Sequence, residues 1–180
     1  MTSAISVLES SFETISTQHD PLGLEPIPDD TRQRFLRFKL SGVNGSLLPL
    51  QDIAEVRQLA TADILPVPEI ANSILGVCNW RGEILWLVDL NALMGERPLW
   101  DQTPLLEQPT AIVVQSARYS IGLVVERVDD VELIEPELID QQTELSSPTL
   151  APYVVGYLPD HKGMVLDARA IVDHFLQVSF

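Results

Sequence analysis

The stretch ILGVCNWRGEILWLVDL, residues 74–90, constrains this chain more than any other. Two apolar runs flank a polar knot, Asn79-Trp80-Arg81-Gly82. Both runs want burial, and a glycine-bearing turn joins them, so the stretch reads as a β-hairpin with 74–79 pairing 83–88. Gly82 is expected to supply a positive φ at the turn. Asn79 is expected to bond its own turn. Asp89 is placed to cap a short helix that Gly95 stops. Cys78, inside the first run, reads as a small buried hydrophobe rather than a nucleophile.

The rest of the chain repeats this theme of short strands and glycine or proline turns. Period-two alternation begins near Phe35 and continues past Gly42 and Gly45 to Leu50. Residues 53–60 form a further strand candidate, and 66–75 a loop with one helical turn. The connector 96–109 contains three prolines. A second series of strands follows at 110–116, 119–128 and 130–135, then a loop over 136–152 rich in Pro, Gln, Ser and Thr. The closing segment 154–175 echoes the hairpin. Each copy has a glycine after two apolar residues (Gly76, Gly156), then an apolar strand ending in aspartate (Asp89, Asp167), then a helix. This suggests an internal repeat of about 75–80 residues and small β-barrels rather than a parallel α/β sheet. The reading divides the chain into an extension at 1–33, a first subdomain at about 34–95, the connector, and a second subdomain at about 110–176. In the extension, Ile5, Leu8, Phe12 and Ile15 make a helical stripe, followed by a proline-rich acidic linker. The extension is either a flexible tail or a docking helix.

Charge and composition narrow the function. The formal net charge is −15, which repels nucleic acid and anionic membrane surfaces. No apolar run reaches the ~18 residues of a membrane span, and no signal peptide is visible, so a soluble cytoplasmic protein is expected. With one cysteine and three dispersed histidines, zinc spacing is absent. His161 and His174 read as solvent-facing. Phosphate-loop, nucleophile-elbow and dinucleotide motifs are absent. Asp129 and Asp130 would point to opposite faces of a strand and read as a solvated edge. No cofactor and no catalysis are expected. A β-barrel that binds a small ligand is the rival class; it would need convergent polar groups that the strands do not offer.

The segment SILGVCNWRGEILWLVDLNALMG resembles the signature of the CheW-like domain family: an apolar pair, Gly-Val, Asn-x-Arg-Gly, an apolar strand, and Asp-Leu before a short helix. Gly76, Val77, Asn79, Arg81, Gly82, Asp89 and Leu90 stand at matching positions. FLRFKLSGVNGSLLPLQDIAEV and IGLVVERVDDVELI are similar to the family's other segments, and the resemblance covers about 34–176. It departs from the pattern at Trp80, where leucine is common, and at Trp86, where a proline or small apolar residue is usual. The resemblance implies two SH3-like five-stranded barrels with a shared interior. It implies a non-catalytic adaptor between the cytoplasmic tip of chemoreceptors and the regulatory domain of a CheA-type histidine kinase, with other CheW-like proteins as further partners. Such an adaptor works in the cytoplasm beside membrane receptor arrays.

By that resemblance Arg81 is the first candidate contact residue, a guanidinium suited to a carboxylate or carbonyl; its rival role is local bonding that fixes the turn. Trp80 is either an interface anchor or partial packing, and Trp86 reads as core. Ile53 and Glu55 match positions implicated in partner contact. Gly76 matches a position where crowding disrupts coupling, through close backbone approach. Val128 and Val131 fall where the family touches its kinase or a neighbouring copy; for valines on strands, core is the stronger reading.

Overall fold

The computed structural model describes residues 30–40, 43–101, 109–116, 119–141, 148–159 and 162–179. The extension's helical stripe and His161 lie outside these. Ten strands, β1 (Gln33–Leu40), β2 (Val43–Pro49), β3 (Ile53–Gln58), β4 (Ile74–Trp80), β5 (Glu83–Asp89), β6 (Thr110–Gln115), β7 (Ser120–Val125), β8 (Arg127–Ile134), β9 (Val154–Tyr157) and β10 (Met164–Leu166), accompany helices α1 (Leu90–Leu93) and α2 (Ala168–Ser179). The mainly β expectation holds. Residues 66–75 contribute turns rather than a helical turn.

The strands form two five-stranded sheets, ordered β8-β1-β2-β10-β9 and β3-β6-β7-β5-β4. Each sheet takes strands from both halves of the chain, so the sheets do not follow the division at 96–109. The two orders match strand for strand. In both, one central contact is parallel (β10 with β2, β5 with β7) and the other three are antiparallel. The repeat seen in the sequence is therefore real but cyclically offset. β3-β4-β5-β6-β7 corresponds to β8-β9-β10 followed by β1-β2 from the other end of the chain. In each sheet an isolated bridge ties one edge strand to the segment that follows the opposite edge strand, Val77 of β4 to Leu65 and Tyr157 of β9 to Asp140.

The burial pattern explains why these strands are so apolar. A shared core lies between the sheets, with Leu36, Phe38 and Leu48 from one, Val88, Ile112, Ile121 and Leu123 from the other, and Ile171 and Phe175 from α2. Each sheet also has its own interior: Phe35, Leu47 and Val165 in the first, Leu59, Cys78, Leu85, Leu87 and Val113 in the second. On β6, Ala111 and Val113 face the sheet's interior while Ile112 and Val114 face the shared core. Strands covered on both faces cannot alternate with polar residues. Trp86 is half-buried against the shared core, its ring 6.0 Å from that of Phe175. His174, expected to face solvent, is half-buried with its ring edge-on to Tyr153 at 5.3 Å. α2 turns Ile171, Val172 and Phe175 inward, and His174 is adjacent to that face.

Candidate functional site

The β4–β5 register sets the site. Trp80 pairs with Glu83, so the turn is only two residues, Arg81-Gly82, rather than the four-residue knot. Their φ values are +54° and +86°. Two consecutive positive φ values make a type I′ turn, whose twist matches that of the flanking strands. Gly82 adopts this freely; Arg81 does so at a cost of ~1 kcal/mol or more. Asn79 Oδ1 accepts the Gly82 N–H at 3.3 Å, as expected.

The tip is a clamp. Trp80 is 6% exposed and packs into the interior of its sheet. It is not a presented anchor: the alternation that puts Cys78 inside puts Trp80 inside as well. A buried indole N–H needs an acceptor, and Trp80 Nε1 donates to Glu55 Oε2 at 3.0 Å. Arg81 Nη2 donates to the same oxygen at 3.2 Å. The Arg81 guanidinium also lies over the Trp80 ring, 4.8 Å from its centroid. Arg81 remains 66% exposed and Glu55 34% exposed. The Trp80 bond chiefly, and Arg81 after it, hold the Glu55 carboxyl below the usual range against the opposing push of burial. On β3, Arg57 Nη1 donates to the Asn79 carbonyl at 3.3 Å. Side chains thus join β3 to β4, the two edge strands of this sheet.

The other candidates are placed as follows. Gly76 has φ +142°, and a Cβ there would stand 2.3 Å from the Leu65 carbonyl oxygen. The close approach expected at Gly76 is present, because Leu65 and Val77 exchange backbone bonds of 2.8 and 2.9 Å beside it. Asp89 is fully buried; it accepts from Ala92 N at 3.0 Å and from Leu99 N at 2.6 Å. Burial pushes its carboxyl up, against the pull of these and the Asn91 amide. Cys78 is buried and its thiol is pushed up by desolvation. Ile53 and Val128 are half-buried against the shared core. Val131 is 44% exposed on β8, an edge strand, where Asp129 pairs with Arg127 at 2.6 Å. Val128 and Val131 lie on β8, in the other sheet; the hydrogen bonds and ring contact at the hairpin tip join Glu55, Trp80 and Arg81. Ile84, in a run expected to be buried, is 73% exposed near the turn. Among the described residues, no group of three or more His, Cys, Asp or Glu could hold a metal ion, and no helix is long and apolar enough to cross a membrane.

Paired sheets of one topology around a shared core, with charged chemistry gathered at a hairpin tip, define a mainly β two-sheet module. The sequence profile of the CheW-like domain matches residues 34–175. A Rhizobium etli protein named as a probable chemotaxis protein CheW is 31% identical over 120 residues, covering 64% of this chain and 71% of the relative. Protein PilI of Pseudomonas aeruginosa is 25% identical over 134 residues, covering 73% and 72%. The crystal structure of the scaffolding protein TtCheW from Thermoanaerobacter tengcongensis shares the fold with a TM-score of 0.63 at 21% identity, covering 76% of this chain and 89% of that one. This chain belongs to the CheW-like domain family, whose members are non-catalytic scaffold and adaptor proteins.

Proposed function

We propose that this protein is an adaptor that couples the cytoplasmic tip of chemoreceptors to the regulatory domain of a CheA-type histidine kinase. It works in the cytoplasm at receptor arrays, and its output is chemotaxis, twitching or phototaxis. Other CheW-like proteins are further partners. The observation that carries the reading is the exposed Arg81 guanidinium, held at the hairpin tip of a CheW-like fold. Its remaining N–H donors suit a carboxylate or carbonyl on a receptor helix. Glu55 and Arg81 form the receptor-facing patch. Ile53 supports it from the start of β3, and Gly76 keeps the β4 edge in place. Val131, exposed on β8, and Val128, half-buried on the same strand, serve the kinase or a neighbouring adaptor.

The test is a pull-down with a CheA-type kinase, run with and without a receptor-tip fragment. Capture that the fragment enhances supports the reading. Failure with every such kinase of the source organism overturns it. Arg81→Glu is expected to leave the melting curve nearly unchanged while weakening fragment binding at least tenfold, about 1.4 kcal/mol. Equal loss of folding and binding would assign Arg81 a purely structural role.

A further inference from the structure

Trp80, buried in the sheet interior, touches both charged residues of the proposed receptor-facing patch. We propose that Trp80 is a positioning residue: its indole N–H fixes the Glu55 carboxylate and its ring face fixes the Arg81 guanidinium, so that the pair meets a partner already ordered. The inference rests on the reading of Arg81 as a contact residue, and it adds what makes that arginine effective.

The geometry supports this on both sides of one ring. Nε1 is 3.0 Å from Glu55 Oε2, and the Arg81 guanidinium is 4.8 Å from the ring centroid. The Glu55 oxygen that accepts from Trp80 is also the one that accepts from Arg81 at 3.2 Å. The indole is only 6% exposed, packed in the sheet interior with Leu59, Cys78 and Leu85. A free surface arginine has many rotamers, and ordering such a side chain on binding costs about 0.5–1.5 kcal/mol. Here a rigid ring and a fixed carboxylate order it in advance. Leucine at position 80 would fill the interior but has neither an N–H donor nor a π face. Trp80 therefore gives this chain a stiffer tip than its fold alone requires. The titratable and charged groups facing Glu55 are Arg81 at the turn and Arg57 on its own strand.

The experiment uses the full chain and a soluble receptor-tip fragment. Trp80→Phe keeps an aromatic ring in the interior and removes the N–H. With folding checked by circular dichroism, the Glu55 carboxyl is followed by carbon NMR against pH, and the fragment's Kd by calorimetry. The expected result is a Glu55 midpoint raised toward the ordinary carboxylate value and a Kd weakened about fivefold. An unmoved midpoint and an unmoved Kd would overturn the proposal, since a purely packing tryptophan touches neither. If Trp80→Phe does not fold, the unaltered protein decides. The Trp80 indole N–H resonance should titrate with the Glu55 carboxyl, and an indole signal indifferent to that titration would overturn the clamp. The two readings fail separately. Arg81→Glu with undiminished fragment binding defeats the adaptor contact, whereas Arg81→Glu that abolishes binding beside a silent Trp80→Phe defeats only the clamp.

Discussion

Three glycine-to-alanine substitutions separate the two reasons this fold needs glycine. At Gly82, φ is +86° and an added Cβ meets nothing within 4 Å. Gly82→Ala therefore carries only the conformational cost, about 1 kcal/mol. At Gly156 no positive φ applies, but a Cβ would stand 2.4 Å from the Asp140 carbonyl oxygen. Relief means breaking the Asp140–Tyr157 bridge, whose bonds are 2.8 and 2.9 Å. Two backbone bonds at about 1 kcal/mol each put Gly156→Ala near 2 kcal/mol. Gly76 combines both causes, with φ +142° and a 2.3 Å clash with the Leu65 carbonyl oxygen. The loss of two similar bonds plus about 1–3 kcal/mol of strain puts Gly76→Ala at about 3–5 kcal/mol. For a chain of this size each kcal/mol moves Tm by about 2–4 °C. Urea and thermal unfolding of the three variants should rank Gly76 above Gly156 above Gly82. Gly82→Ala as damaging as Gly76→Ala would refute the close-approach argument, because the clash with the Leu65 carbonyl is present at Gly76 within β4 and absent at Gly82 in the turn.

Asp89→Ala should cost about 2–4 kcal/mol by denaturant unfolding, since it removes a helix cap and leaves the buried Leu99 N–H without its acceptor; Asp89→Asn, which can still cap, should cost less. Because burial raises the Asp89 carboxyl in the folded state, its contribution to stability is fully present below its ordinary value and is lost as pH rises through the raised one. Arg37 makes a two-pronged pair with Glu132, one bond of 2.9 Å, and donates to the Lys162 carbonyl at 2.7 Å. The arginine holds the Glu132 carboxyl low, so the stability this group contributes is present above its ordinary value and lost as pH falls through the lowered one. Arg37→Met should flatten that acid limb in a pH series of melting curves and cost about 1 kcal/mol at neutral pH; an unaltered acid limb would count against the pairing.

Local chemistry made much of the hairpin legible. Gly82, Asn79 and Asp89 do what a turn glycine, a turn asparagine and a cap aspartate must do, because the turn and the cap each act within three residues; the second bond of Asp89, to the Leu99 amide ten residues on, was not legible. The echo between Gly76 and Gly156 was also legible, and both prove to be close approaches beside an isolated bridge. Sheet membership was not. Hydrophobic periodicity says that a strand is covered, not by which strand. A division along the chain thus missed that β1 and β2 complete the sheet of β8, β9 and β10. Trp80 was legible only as a choice, since an apolar ring with one polar atom suits either a surface or an interior.

From its order of residues alone, this chain specifies short strands, a tight hairpin with Arg81 at its bend, a capped helix after Asp89 and a twofold internal echo, because turns, caps and strand periods depend on neighbours in sequence. Folding in three dimensions decided which strands share a sheet, that Ile84 stays in solvent while Trp80 does not, and that Glu55, 25 residues before Trp80, closes on it. Those outcomes depend on long-range burial and on satisfying one indole N–H, and neither is encoded in any local run.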